Sequence, residues 1–312
     1  MQNKFGQTPL HDAAKSGKIG IVAALLFQGM DPNVQDRWSN SALMYATLHG
    51  HSSIVAMLIS SGCDVNTINR GHRTALHTAS FNGHTNIVRS LIEARANLDV
   101  ADMDHHTPAH LAARHRNYEI VKMLILAGCD VHATEIHRKN LMHFCAHHGY
   151  RDLVELLIDR GLHPDIPDAL GNSPLNAAAI RNHVDVAKFL IWKNCSVNRT
   201  CVFAGISQPL LSIAIKSGHI EIMHLLIESG CSLSCIDLLL HERSANVVIT
   251  EDKQLSDWLR TLIRQPISLQ QQCRVKVRAC FSYDIEVEID LVDIPIKLKE
   301  YILMKDLLCP SA

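Results

Sequence analysis

The sequence predicts an all-α fold in which short helix pairs stack into a repeating array, a solenoid, and two observations support this. The first is a four-residue pattern that recurs every 33 residues. The second is an apolar stripe at helical spacing in the second half of each period. A chain of 312 residues would suggest about two ordinary domains, but the fixed period predicts one long repetitive body. The tetrapeptides are Thr8-Pro-Leu-His11, Ser41-Ala-Leu-Met44, Thr74-Ala-Leu-His77, Thr107-Pro-Ala-His110, Asn140-Leu-Met-His143 and Ser173-Pro-Leu-Asn176.

The third period shows how the sequence specifies one repeat. Thr74 is placed to cap a first helix that extends to Asn82, because its hydroxyl can accept a backbone N–H left free at the helix start. Gly83 permits the positive φ that the chain reversal needs, and a second helix follows over 85–94. Residues 70–73 form the β-turn finger that opens the repeat. The apolar stripe of the second helix consists of Ile87, Val88, Leu91 and Ile92.

The period, the cap and the turn glycine together resemble ankyrin repeats. A weaker seventh copy places Pro209-Leu-Leu-Ser212 at the same position, 36 residues after the sixth. We assign residues 1–233 to about seven ankyrin repeats. Residues 234–264 are assigned to a degenerate terminal repeat that ends in a cap helix. The resemblance implies β-turn fingers and a concave face, lined by the fingers and the first helices, that binds other proteins.

Composition narrows the function classes. The formal net charge is −1, which predicts no general attraction to nucleic acid or to an anionic membrane. The longest apolar run, 19–27, is too short to span a bilayer, and the first residues do not resemble a secretory signal. Whether an N-terminal extension exists in other isoforms is left open, as are the oligomeric state and the identity of the substrate.

Cysteine positions indicate reduced thiols. Among the ten cysteines, several share one position after the second helix, where a small buried residue fits. Cysteines at equivalent positions lie one repeat or more apart, too far to form a disulfide. We therefore expect a cytoplasmic protein, with the nucleus as a second location. The cysteines at this position are Cys63, Cys129, Cys195 and Cys231, and Ala96 takes their place in the third repeat.

Histidine recurs at the fourth place of the tetrapeptide, and two interpretations compete. The recurring ring could form a ladder of metal ligands, or it could brace neighbouring turns by a hydrogen bond, which the ankyrin resemblance favours. The segment His143-Phe-Cys-Ala-His147-His148 also looks like a ligand cluster, but it lacks a Cys-x-x-Cys knuckle. We expect no metal and no cofactor. Since we find no phosphate-binding loop and no nucleophile elbow, we also expect that the protein is not an enzyme.

Large apolar and cationic side chains concentrate on the predicted concave face of repeats two and three. Trp, Tyr and Arg dominate the energetics of protein interfaces, so the sequence predicts a substrate-docking patch here. The alternative is that Tyr45 and Leu48 only pack between neighbouring first helices, and spacing alone does not separate the two. We expect neither nucleic acid nor membrane as a partner. The patch consists of Trp38, Tyr45, Leu48, Phe81, Arg37 and Arg70.

The C-terminal segment carries a second signal. Leu269, Cys273 and Val277 are spaced four apart and share one face of a predicted helix. Farther on, the chain contains Ile294-Pro-Ile-Lys297. With these two motifs behind an ankyrin array, the chain resembles the ankyrin repeat and SOCS box family, whose members are substrate adaptors of elongin–cullin ubiquitin ligases. We assign residues 265–312 to the three-helix SOCS box.

The resemblance implies which residues would contact each ligase subunit. Elongin C would bind Ser268, Leu269, Cys273 and Val277, with Leu269 as the anchor. The cullin would contact Ile294, Pro295, Ile296, Leu298 and Tyr301. Lys297 departs from the usual Leu-Pro-apolar-Pro pattern, and residues 283–290 fit a strand as well as a helix. We therefore expect elongin B/C with cullin-5 and its RING subunit, cullin-2 being the alternative.

Two further alternatives stay open at this stage. The protein could be an ankyrin scaffold whose tail only caps the stack, without recruiting a ligase. Asn66 resembles the acceptor pattern for asparagine hydroxylation of ankyrin repeats, and the competing interpretation is a loop asparagine that bonds its own turn.

Overall fold

The computed structural model describes residues 2–203, 205–233 and 235, and these described residues divide after Ile136 into a first and a second compact unit. The predicted cap helix and SOCS box lie outside the described residues. Within the first unit the chain forms four helix pairs, and each first helix packs beside the next first helix. The helices are α1 (Pro9–Lys15), α2 (Ile19–Phe27), α3 (Ala42–Leu48), α4 (Ser52–Ser60), α5 (Ala75–Asn82), α6 (Thr85–Glu93), α7 (Pro108–Arg114) and α8 (Tyr118–Leu126).

The second unit continues the pattern and adds a β-hairpin. The hairpin strands pair antiparallel, with Thr200 opposite Pro209 and Phe203 opposite Ile206. This longer finger accounts for the wider spacing before the seventh copy, whose first helix begins after Pro209 as the sequence predicts. The elements are α9 (Leu141–His148), α10 (Arg151–Asp159), α11 (Pro174–Ile180), α12 (Val184–Trp192), β1 (Thr200–Phe203), β2 (Ile206–Pro209), α13 (Leu210–Lys216) and α14 (Ile220–Glu228).

The core lies between the first and second helices. Leu76 and Ala79 on α5 and Val88 and Leu91 on α6 are completely buried. Counted from the first residue of each tetrapeptide, the sixth place holds a small residue, because the paired helices approach closely there. Cys145 takes this place in the fifth repeat. These observations confirm the all-α class and the stripe predicted for the second helix. None of the helices in the described residues combines the length and the hydrophobicity that a membrane crossing requires.

The cysteines of the described residues are all free thiols. Cys129, Cys195 and Cys231 are buried at the predicted position, and Cys63 is half-buried there. Burial raises the pKa of Cys231 to about 12, so its thiol stays protonated and packs as a small apolar group.

The recurring histidine braces neighbouring repeats, which confirms the second interpretation of its pattern. The Nδ1 atom of His77 accepts the backbone N–H of Thr74 at 3.1 Å, while Nε2 contacts the carbonyl oxygen of His106, in the next finger, at 3.2 Å. The ring thus acts as an acceptor and as a donor, which requires the neutral form. His11 and His143 make equivalent contacts to the carbonyl oxygens of Asn40 and Asn172.

We predict that acid destabilises the first unit through these rings. Burial lowers the pKa of His77 and of His110 from 6.5 to about 4. The unfolded chain therefore takes up protons first, so the stabilisation is complete above about pH 6.5 and is lost as the pH falls toward 4. Urea unfolding should show a loss of about 2 kcal/mol for each of His77 and His110 between pH 7.5 and pH 5.

In the sixth repeat Asn176 occupies the histidine position, and its amide oxygen accepts a hydrogen bond from the hydroxyl of Ser173. An amide does not titrate, so asparagine at this position serves as the control for the pH dependence. His77→Asn should flatten the dependence by about 2 kcal/mol. An unchanged pH profile in this variant would contradict a neutral bracing role for His77.

A second prediction concerns the turn glycines. Gly149 ends α9 at φ +77°, and a Cβ placed there would lie 2.6 Å from Nδ1 of His183. The same ring is held in place because its Nε2 bonds the carbonyl oxygen of His147 at 2.9 Å. Gly149→Ala should lower the free energy of unfolding by about 1–3 kcal/mol more than the same substitution at a glycine that also has positive φ but has no atom near the added Cβ.

Gly161 supplies the control, because it has φ +89° and open space within 4 Å of the position that a Cβ would take. Urea unfolding of Gly149→Ala and Gly161→Ala separates the steric contact from the cost of positive φ. His183→Ala should restore most of the difference. Equal losses in the two alanine variants would show that the ring contact is unimportant.

Candidate protein-docking site

An Asp or Asn at the base of most fingers shapes the candidate site, while the fifth finger has Glu135 at the equivalent place. In the second repeat, Oδ1 of Asp36 accepts the backbone N–H groups of Trp38 and Asn40, each at 2.9 Å. Asn69, Asp102 and Asp168 make the same pair of bonds in their own fingers. The bonds fix the turn, and so fix where the fingertip side chains project. Sequence reasoning missed this residue, although its recurrence every 33 positions was the signal that could have revealed it.

Tyr45 is held by the same carboxylate. Its hydroxyl donates to Oδ2 of Asp36 at 2.7 Å and accepts from Nε2 of Gln7 at 3.0 Å. Burial alone raises the pKa of Asp36, but the bonds from Tyr45 and from the finger amides outweigh it and lower the pKa below its usual range. For Tyr45, burial and the bond to Asp36 raise the pKa. Tyr45 therefore contributes to the packing of the fold, as the alternative interpretation of the patch holds, while one side of its ring stays accessible.

Three of the predicted docking residues line one cavity, which we call the α3–α5 pocket. Its volume is about 230 Å³, and its apolar lining comes from Met44, Tyr45 and Leu48 of α3 and from Phe81 of α5. Leu48 is 49% exposed and Phe81 is 41% exposed, so two large apolar side chains lie side by side at the surface of this pocket. The polar wall consists of Asn40, Asn69, Arg73 and Asn82, beside His77 and Thr78.

Trp38 lies at the fingertip and not among the residues that line the pocket. Its ring stacks on Phe5 of the preceding finger, with centroids 5.6 Å apart, and it remains 45% exposed. Arg37 and Arg70 project from successive fingers and are exposed. Backbone bonds join the tips, from Arg37 N–H to the Phe5 carbonyl oxygen at 3.0 Å and from Arg70 N–H to the Trp38 carbonyl oxygen at 3.1 Å.

Arg73, on the polar wall of the pocket, forms an ion pair within the fold. Its Nη2 donates to Oδ2 of Asp102 at 3.0 Å, and its Nε donates to the same oxygen at 3.1 Å. The carboxylate is buried, so the pair links two fingers and leaves the guanidinium only partly available to a partner.

One group in the described residues has the composition of a metal site. Ligand atoms of Asp102, Asp104 and His106 lie within 4.8 Å of one another. However, Oδ1 of Asp102 already accepts two backbone N–H groups and Oδ2 accepts from Arg73. A cation would have to compete with these donors, so we assign the group to the finger structure.

The predicted ligase contacts, at 268–277 and 294–301, lie outside the described residues. Asn66 is exposed, and its Oδ1 accepts the backbone N–H of Asn97 in the following repeat at 2.7 Å. Its own N–H donates to Oδ1 of Asp64 at 2.8 Å. Hydroxylation of Asn66 stays a prediction.

Comparison with protein-family models agrees with the geometry. A model of ankyrin repeats matches residues 1–69, 43–135 and 141–237, and a model of the SOCS box matches residues 265–303. A comparison with curated proteins gave no match.

We predict different costs for changing two neighbouring residues of the α3–α5 pocket. Tyr45→Phe should lower the free energy of unfolding by about 1–2 kcal/mol, because it removes the hydroxyl that serves Asp36 and Gln7. Leu48→Gln alters a half-exposed side chain and should cost less than about 1 kcal/mol. Urea unfolding at pH 7.5 compares them, and an equal or greater loss for Leu48→Gln would contradict the conclusion that the Tyr45 hydroxyl stabilises the fold while Leu48 contributes little to it.

Proposed function

The chain belongs to the ankyrin repeat and SOCS box family, and from this premise we propose that it is the substrate-recognition subunit of an elongin B/C–cullin–RING ubiquitin ligase. The observation that carries the proposal is that both modules occur in one chain. Together they support a substrate-adaptor role in elongin–cullin ligases in general. Neither module is catalytic. In our proposal the chemistry of ubiquitin transfer belongs to other subunits, and this chain is not an enzyme.

The SOCS box would make the contact with elongin C. Leu269 would insert into a pocket of elongin C, with Ser268, Cys273 and Val277 around it. Support for this assignment comes from their spacing, which places the three apolar side chains on one helical face. The residues Ile294, Pro295, Ile296, Leu298 and Tyr301 would contact cullin-5, or alternatively cullin-2.

The ankyrin repeats would hold the target protein on their fingers and first helices. We assign the contact to Trp38, Tyr45, Leu48, Phe81, Arg37 and Arg70. The support is the α3–α5 pocket, with its exposed apolar side chains, and the exposed cationic fingertips beside it. Tyr45 would offer its ring to the partner while its hydroxyl keeps the bond to Asp36.

Such a protein acts by proximity. Holding a target and a ligase together turns the encounter between a target lysine and the charged conjugating enzyme into an intramolecular event. The gain depends on simultaneous engagement of both ends and needs no reactive group on this chain. Free thiols with raised pKa values, such as Cys145 at about 12, agree with this, because a nucleophilic cysteine needs the opposite shift. We propose the cytoplasm, and also the nucleus, as its location.

Affinity purification with mass spectrometry tests the ligase contact. In cells that express the full chain, elongin B, elongin C and a cullin should copurify with the wild type and be lost with Leu269→Asp, because a buried carboxylate in the elongin pocket lacks a partner. Target proteins should accumulate on the variant, since they are captured but no longer degraded.

Gln271→Asp is the matched control, since it adds the same charge on the opposite side of the predicted helix. Elongin should remain bound to this variant. If the wild type captures no elongin under conditions in which other SOCS box proteins do, the ligase proposal fails and the ankyrin scaffold is the better description.

A further inference from the structure

We propose that the first unit binds an extended acidic segment of its target, with carboxylates three residues apart on Arg37 and Arg70 and an aromatic or long aliphatic side chain in the α3–α5 pocket. This inference rests on the proposed function, in which the ankyrin repeats hold the target, and it adds the chemical class of what they hold.

The charges on this face are unbalanced. On the fingers and first helices of the first three repeats, Lys4, Lys15, Arg37 and Arg70 are exposed, against the exposed carboxylate of Asp12. The other carboxylate of this region, Asp36, is buried and bonded to Tyr45 and to the finger amides. Four exposed cations against one exposed anion give the groove a positive potential that selects acidic partners.

The two fingertip arginines are available to a partner. Within the described residues, neither Arg37 nor Arg70 has a carboxylate at ion-pair distance, whereas Arg73 is bound to Asp102 at 3.0 Å. Exposed guanidiniums suit carboxylates, because their planar fork donates two parallel hydrogen bonds. The row of cations ends at the fourth finger, where Met103 and Asp104 occupy the tip and both are exposed.

The distance between Arg37 and Arg70 determines how far apart the acidic residues of the ligand must lie. Arg37 and Arg70 occupy equivalent places in neighbouring repeats, whose tips are joined by the bond from Arg70 N–H to the Trp38 carbonyl oxygen. Neighbouring packed helices lie about 8–10 Å apart. A chain in the extended polyproline II conformation advances about 3.1 Å per residue with three residues per turn, so residues three apart lie on the same side of the chain and about one repeat apart. Acidic residues at positions i and i+3 would therefore meet successive arginines.

The pocket supplies the anchor. Its volume of about 230 Å³ is enough for a ring, since an apolar cavity of about 150 Å³ admits benzene. Phe81 is held in place by His115, with ring centroids 4.0 Å apart, so the pocket wall is formed before a ligand arrives. An apolar anchor flanked by arginines is the usual composition of an energetic centre in a protein interface.

A peptide fits this face better than a nucleic acid does. One fingertip cation per repeat, about 8–10 Å apart, is sparse beside the phosphate spacing of about 3.4 Å along a DNA strand. The accessible lining of the α3–α5 pocket is mostly apolar, and the amide groups of Asn69 and Asn82 on its polar wall are already bonded within the fold. The test therefore treats binding of an oligonucleotide as an outcome against the proposal.

The experiment is a selection of random 12-residue peptides, displayed on phage, on the purified full-length chain. Enriched peptides should share two Asp or Glu residues three positions apart and a Phe, Tyr, Trp, Leu or Met next to the pair. A fluorescein-labelled copy of the best peptide should lose about tenfold or more in affinity with Arg37→Glu/Arg70→Glu, and about tenfold with Phe81→Ala, measured by fluorescence anisotropy.

Arg89→Glu is the control for charge, because Arg89 is exposed in the same third repeat but on the second helix, and it should bind the peptide like the wild type. The proposal is overturned if the selection enriches nothing, if enriched peptides lack the acidic pair, or if their binding survives the double arginine variant. It is also overturned if a labelled 12-nucleotide oligothymidylate binds in place of the peptides and loses affinity with that variant.

The outcome is independent of the ligase test. Peptide selection does not involve residues 265–303, and elongin capture does not involve the fingers. Leu269→Asp should bind the selected peptide like the wild type, and Arg37→Glu/Arg70→Glu should still capture elongin. Loss of peptide binding alone therefore refutes the acidic-segment inference, and loss of elongin capture alone refutes the proposed ligase role.

Discussion

The neutral histidine ring that contacts the next finger is the interaction on which much of the first unit depends, with Met44 in its place in the second repeat. His77 caps its own helix through Nδ1 and contacts the following finger through Nε2, so a single side chain sets both the start of α5 and the position of the next repeat. This works only while one nitrogen accepts and the other donates. Burial maintains the neutral form by lowering the pKa of the ring to about 4. The same stacking that creates the groove thus keeps its own brace uncharged at neutral pH.

Much of the fold could be predicted because its determinants are local and periodic. Thr74 and Gly83 mark the two ends of α5, and α6 begins at Thr85, as the sequence indicates. The β1–β2 hairpin could not be predicted in the same way. The wider spacing before the seventh copy reveals an insertion, but four-residue strands such as Thr200–Phe203 are too short for an alternating pattern to be distinguished from a loop. Their pairing depends on a partner strand and on contacts with the preceding finger, where Asn172 accepts the N–H of Val202 at 2.8 Å.

In the candidate site, too, the residues placed by the helical period could be predicted, while contacts between distant parts of the chain could not. The helical period places Tyr45, Leu48 and Phe81 on one face, and these three do line the α3–α5 pocket. The fingertip contacts were beyond sequence reasoning, because Trp38 stacks on Phe5 and Arg73 pairs with Asp102, each about one repeat away along the chain. A side chain on a turn has no periodicity to fix its direction. For the second finger the direction comes instead from Asp36, the acid at its base, and the recurrence of Asp or Asn at this place carried information that the tetrapeptide pattern did not.

That acid also explains why formal charge is a poor guide to what this surface attracts. A count of charged residues gives −1 for the chain and treats Asp36 as the equal of Arg37. In the folded unit the two differ, because Asp36 is buried and its oxygens are occupied by amides and by Tyr45, while Arg37 is exposed at the tip. A hydrogen-bonded carboxylate of low accessibility contributes less to the field felt by an approaching partner than an exposed guanidinium does. Because the second finger buries its acid and the third has Asn69 at the same place, Arg37 and Arg70 keep their charge at the tips, and a nearly neutral sequence forms a groove with a positive rim.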